Sequence, residues 1–206
     1  MEVYVTDDRI GRYFRRIQLG LRFLAHGART QTTSQWSGLT ADQLVTLRRR
    51  WMFNAKDRLR GPSPTSFQPF FRSSKARAQA ALFVCICRGV GALPRKCGKY
   101  SARAVVSLEN GERLCEAFEI FREWEPDGDI EFEQAVLLLI GVAEAEKIEL
   151  ARCPSCPRMV LIDNEGNKMT ICARCRKEQP RSPSKPASCC PHGSSGAAWN
   201  ETESLS

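Results

Sequence analysis

Histidine is nearly absent. His26 and His192 are the two histidines in 206 residues. No Ser/His/Asp, Cys/His or paired-carboxylate constellation is legible around either, so the chain reads as a non-enzyme. Long apolar runs are also missing. The strongest one, Ala135 to Ala143, is interrupted by Gly141, whereas a membrane span needs about 20 apolar residues. The first residues, MEVYVTDDRIGRYFRR, carry acid early and no apolar stretch before a cleavage site, so no signal peptide is expected. These absences point to a cytoplasmic location and no membrane partner. They also make the ten cysteines read as thiols, some on metal, rather than as a disulfide framework.

Acid is scarce at the front of the chain. Residues 1–100 carry 19 Lys/Arg against 5 Asp/Glu; residues 101–150 reverse this with 4 against 13; residues 151–206 hold 8 against 5. A basic half beside an acidic segment suggests two faces with different partners, or two solvated surfaces.

Helical spacing dominates what is present. From Arg9 to Arg29, Ile10, Tyr13, Phe14, Ile17, Leu21, Leu24 and Ala28 recur as one face, and arginines supply much of the charge. A polar stretch, TQTTSQWSG, follows. Thr40-Ala41-Asp42-Gln43 reads as a capping box opening a helix expected to run to about Leu59, where Gly61-Pro62-Ser63-Pro64 stops it. Further helices are expected over Ser74–Arg88, Glu112–Trp124 and Ile130–Lys147. The second of these three carries an acidic stripe of Glu112, Glu116, Glu119 and Glu123. Such a stripe is mildly unfavourable unless something basic meets it. It suits a basic protein partner or a solvated face.

The sharpest signal is sulfur. Cys153-Pro-Ser-Cys156 and Cys172-Ala-Arg-Cys175 are separated by 15 residues, the two-knuckle spacing of a four-thiolate zinc site. Four thiolates close the tetrahedron and leave no open position, so the site is structural. A redox dithiol pair is the alternative. A hairpin of Val160–Ile162 and Met169–Ile171 around the turn 164–167 is expected to bring the pairs together. Cys85 and Cys87 read as small buried hydrophobes. Cys97, Cys115 and the Cys189-Cys190-Pro191-His192 run have no assigned role.

Thr30 to Arg49 also fits a helix-turn-helix in outline, with Ser34 at the crossing and Gly38 at the turn. With Leu44, Leu47 and Trp51 inward, Asp42, Val45, Thr46 and Arg49 face outward and Arg48 and Arg50 flank them. Arg49 suits a guanine, Val45 a thymine methyl, and the flanking arginines phosphates. A plain helical hairpin with a solvated arginine face fits the same pattern.

The ordered combination of Gly27-Ala28-Arg29, Gly38-Leu39-Thr40 opening an Arg-rich helix, Gly61-Pro62-Ser63-Pro64, Pro69-Phe70, and an apolar helix running into the paired cysteines resembles the flagellar transcriptional activator FlhC family over roughly residues 10–176. Met52 to Arg58 is extra length against that pattern, and the segment after Phe70 is shorter and lacks the expected tryptophan. The resemblance implies that Cys153, Cys156, Cys172 and Cys175 ligate Zn2+. It further implies a hetero-oligomer with an FlhD-like subunit, binding to double-stranded DNA at flagellar or related promoters, and activation of RNA polymerase. The resulting expectation is a mostly α chain. Residues 1–150 would form a helical DNA- and partner-binding domain with a helix-turn-helix-like segment. Residues 151–177 would form a small C-terminal four-cysteine zinc hairpin, and 178–206 a disordered tail. The alternative function is a zinc-dependent protein-interaction adaptor without sequence-specific DNA binding.

Overall fold

The structure, a computed structural model, describes residues 4–51, 62–93, 100–166 and 168–178, with side chains described from Arg9 onward. Cys97, the continuation of the arginine-rich helix from Met52 to Leu59, and the tail beyond Glu178 lie outside the described residues. The described elements are α1 (Tyr4–Ala25), α2 (Thr30–Ser37), α3 (Ala41–Arg50), α4 (Ser74–Gly89), α5 (Ala102–Val105), α6 (Leu108–Trp124), α7 (Phe132–Glu144), β1 (Ile148–Arg152), β2 (Met159–Asp163) and α8 (Ala173–Glu178). The fold is mostly α with one two-stranded hairpin. None of the described helices is long and apolar enough to cross a membrane.

Local chemistry explains the helix ends. The Thr40 hydroxyl accepts the Gln43 amide at 3.3 Å and Gln43 Oε1 accepts the Thr40 amide at 2.9 Å, forming the capping box that opens α3. Ser73 caps α4 through the Ala76 amide, and Ser107 caps α6 through the Asn110 amide. The end of α1 is a Schellman turn: Ala28 N–H donates to Phe23 O and Gly27 N–H to Leu24 O, with Gly27 at φ 79°.

The polar stretch TQTTSQWSG is helical up to Ser37. It forms α2, with Thr33, Trp36 and Ser37 buried. Its hydroxyls are consumed locally, Thr33 Oγ1 donating to Arg29 O and Ser37 Oγ to Thr33 O. The start of α2 has no side-chain cap of its own. Glu133 of α7, only 3% exposed, supplies one: it accepts the Arg29 amide at 2.8 Å and the Thr32 hydroxyl at 3.0 Å. A carboxylate there also meets the positive end of the helix dipole.

The core joins α4, α6 and α7 to the second half of α1. Phe23, Phe83, Phe121, Phe132, Leu114, Leu138 and Leu139 are fully buried within it, each adding about 1.5–3 kcal/mol relative to exposure. Phe132 sits at its aromatic centre, edge-on to Phe23 and Phe118 and stacked by His26. Gly20 lies inside α1, where a Cβ would stand 2.8 Å from a Leu39 methyl. The glycine that weakens the helix in isolation is the place where the α2–α3 turn packs on it.

The acidic stripe meets a basic partner within the chain. Arg15 binds Glu112 at 2.6 Å and Arg22 binds Glu119 at 2.7 Å, with His26 Nε2 3.0 Å from the same carboxylate. Glu116 and Glu123 remain exposed. The amphipathic face of α1 therefore divides. Leu24 is buried, whereas Ile10, Tyr13 and Phe14 are 54%, 47% and 58% exposed.

Candidate metal centre

The hairpin differs from the one expected between the cysteine pairs. β2 pairs antiparallel with β1, which precedes the first pair, in the register Ile148↔Asp163, Leu150↔Leu161 and Arg152↔Met159. Met169–Ile171 forms no strand. The reason is burial. Ile148 and Leu150 alternate with Glu149 and Ala151, so β1 offers β2 an apolar face against the helical core, while Met169 and Ile171 are only half-buried. Ala145, in the left-handed region at φ 52°, ends α7 and turns the chain into β1.

This arrangement positions all four thiols. Cys153 and Cys156 lie in the turn joining β1 to β2, closed by the Cys153 amide donating to Arg158 O. Cys172 stands just before α8 and Cys175 in its first turn. Successive residues of β2 point to opposite faces. Leu161 joins the helical core, and Val160 packs with Ile171 against the cysteines.

The four sulfur atoms lie within 4.8 Å of one another, and Cys153, Cys172 and Cys175 are buried. Cys156 Sγ is 3.6 Å from Cys172 Sγ. Tetrahedral thiolate ligation at about 2.3 Å requires sulfurs about 3.8 Å apart, so the cluster can coordinate a metal ion. Backbone amides point at the sulfurs: Cys172 N–H to Cys153 Sγ at 3.4 Å, and Cys175 N–H to Cys172 Sγ at 3.5 Å. Hydrogen bonds to a thiolate favour it. The Cys172 amide, opposed by burial, lowers the Cys153 thiol to about 6, and the Cys175 amide lowers Cys172. Hydrogen bonds with Cys172 and Cys156 push Cys175 up to about 12, as expected when neighbouring thiolates share a proton. A divalent cation at the centre would replace that proton.

Cys87 and Cys115 are fully buried, and burial raises both thiols, Cys115 to about 12. They are core residues, as is the half-buried Cys85. Cys189, Cys190 and His192 lie outside the described residues.

The other candidate residues lie on α3. Val45, Thr46, Arg49 and Arg50 are exposed. Arg48 is half-buried, and its Nη2 donates to Ala28 O at 2.9 Å, which ties α3 to the end of α1. Gly38 makes the turn between α2 and α3 at φ 70°, and Ser34 Oγ donates across it to Leu39 O at 2.6 Å. Glu133 was not legible as a functional position, because its partners are about a hundred residues away in sequence. In comparisons with known proteins, no family model matches the chain and no curated protein matches it in sequence.

Proposed function

We propose that the chain is a zinc-stabilised interaction subunit. Cys153, Cys156, Cys172 and Cys175 hold one Zn2+, which ties the hairpin turn to α8 and performs no catalysis. A partner protein docks on α1. The observation that carries this reading is the exposed row Ile10, Tyr13 and Phe14, continued by the half-buried Ile17. Its i, i+3, i+4, i+7 spacing is that of a helix laid into an apolar groove. Arg9, Arg12 and Arg16 interleave with it and are exposed, so a groove rimmed with carboxylates fits best.

The test is purification of the tagged full chain from its native host and measurement of partner stoichiometry. Ile10→Asp with Phe14→Asp should abolish a stoichiometric partner and leave zinc content and melting temperature unchanged. The same partner at the same ratio in the variant would refute the reading.

The exposed face of α3 supports a second reading. Val45, Thr46, Arg49 and Arg50 point outward from a helix joined to α2 by a tight glycine turn, the outline of a recognition helix. With the resemblance to the FlhC family, this suggests a cytoplasmic transcription activator. Double-stranded DNA would be bound at α3, an FlhD-like subunit at α1, and RNA polymerase recruited by the complex. DNA affinity that falls steeply with salt and discriminates promoter from random duplex would favour it. Weak binding that is indifferent to sequence would leave the adaptor reading alone.

A further inference from the structure

A cavity of about 330 Å³ lies between the first turn of α4, the start of β2 and the chain entering α8. Its floor is apolar, with Phe71, Ala81, Met159 and Ile171. Its polar lining is almost entirely arginine: Arg72, Arg77, Arg158, Arg174 and Arg176, with no Asp or Glu. Two of these cations are already engaged, Arg72 with Asp129 at 3.4 Å and Arg174 with Glu178 at 2.9 Å. Among the described residues, Arg77, Arg158 and Arg176 have no carboxylate within ion-pair distance. Arg77 instead lies over the Phe71 ring, 5.2 Å from its centroid. Arg176 donates to the thioether of Met169, a weak acceptor. Burial, and then the facing charge of Arg176, pull the Arg77 guanidinium below its usual pKa, against a smaller opposing pull from Asp163. Like charges held together at the wall of a concavity are unfavourable unless an anion joins them.

We propose that this cavity is a binding site for a small organic anion: a phosphate head held by Arg77, Arg158 and Arg176, attached to an apolar body that fills the floor. The volume lies in the range of small-molecule sites, and an apolar lining with a few convergent charges is their usual construction. Guanidinium forks suit phosphate oxygens. Arg158 and Arg176 are exposed at the mouth and Arg77 is half-buried, so it is the concave apolar floor, which duplex phosphates cannot fill, that favours a small ligand with an apolar body over DNA. The site shares Cys172 with the sulfur cluster, so an occupant would brace the segment that carries the second cysteine pair. The inference does not depend on the interaction or DNA-binding readings above.

The probe is phenyl phosphate, with inorganic phosphate and a random duplex DNA alongside, titrated calorimetrically against the full chain carrying its metal. Saturable binding of phenyl phosphate is expected, with inorganic phosphate clearly weaker. Arg77→Gln should weaken it by roughly tenfold or more, whereas Arg72→Gln should change it by no more than about twofold, because Arg72 is paired at the rim. Melting temperature and metal content of each free variant establish that it is folded, and Arg176→Gln replaces Arg77→Gln if the latter is not. Absence of saturable binding, Arg77→Gln and Arg176→Gln variants that bind as tightly as the wild type, or inorganic phosphate binding as tightly as phenyl phosphate would overturn the proposal. So would duplex DNA as the only ligand that depends on Arg77.

Discussion

At Glu133 a buried carboxylate stands in for a missing cap, and its removal leaves the Arg29 amide and the Thr32 hydroxyl unsatisfied in the core. Glu133→Ala should destabilise the protein by about 2–4 kcal/mol, read as a lower midpoint in urea with an unchanged slope. An effect below about 0.5 kcal/mol would mean that water replaces the carboxylate. Glu119 belongs to the same scale. Partial burial works against its charge, but hydrogen bonds from Arg22 and His26 prevail and hold its carboxyl below the usual range. A depressed folded pKa contributes stability above the unfolded value of about 4.3, lost as pH falls through the folded value. Melting temperatures of the wild type and Glu119→Gln should therefore differ above pH of about 5 and converge at lower pH. A constant difference would exclude the linkage.

At the scale of elements, α3 separates two arginines that look alike in sequence. Arg48 donates to the carbonyl of the buried Ala28, between α1 and α2, whereas Arg49 and Arg50 face solvent. Arg48→Ala should cost about 1–2 kcal/mol of stability, and Arg49→Ala about 0.5 kcal/mol or less. Thermal melts of the two variants decide it, and a larger loss for Arg49 would contradict the geometry. The Arg48 contact with Ala28 was not legible in the sequence, since helical periodicity reports which face a residue occupies but not which distant carbonyl it meets. The capping box at Thr40, the helices α4, α6 and α7 and the cysteine spacing were legible because each is set within a few residues. The partner of β2 was not. The hairpin turn was placed at 164–167, but the pairing that buries Ile148 and Leu150 against the helices puts the turn at the first cysteine knuckle. The role of α2 was also hidden, because Thr33 and Ser37 satisfy their own hydroxyls inside the helix and so become buriable.

Across the whole molecule, two cores meet at β2, one helical and one built on sulfur. The sulfur core contains little besides Val160, Ile171 and the four cysteines, so its apolar packing alone offers little stability, and the proposed zinc would supply the rest. Chelation, or Cys153→Ser, should unfold the knuckles and α8 first. The core of α4, α6 and α7 should remain, because its burial is independent of the cluster. Hydrogen exchange before and after chelation should show lost protection in residues 153–158 and 171–178 and retained protection in α6 and α7. Uniform loss would mean that the two cores unfold as one unit. Elemental analysis of the native chain should find about one zinc per chain.

The pairs Arg15–Glu112 and Arg22–Glu119 are both spaced seven residues apart on their helices, two turns of each. They act as two teeth of a key. A slip of α1 by one turn breaks both, and a slip of two turns recovers only one. Arg9 to Phe14, all exposed, extend N-terminally beyond the first tooth on the same rod. A partner that closes on this rod meets a surface already set in place and loses little freedom in doing so. Filing away one tooth, as in Glu112→Ala, should slow capture of the partner without removing any residue the partner touches.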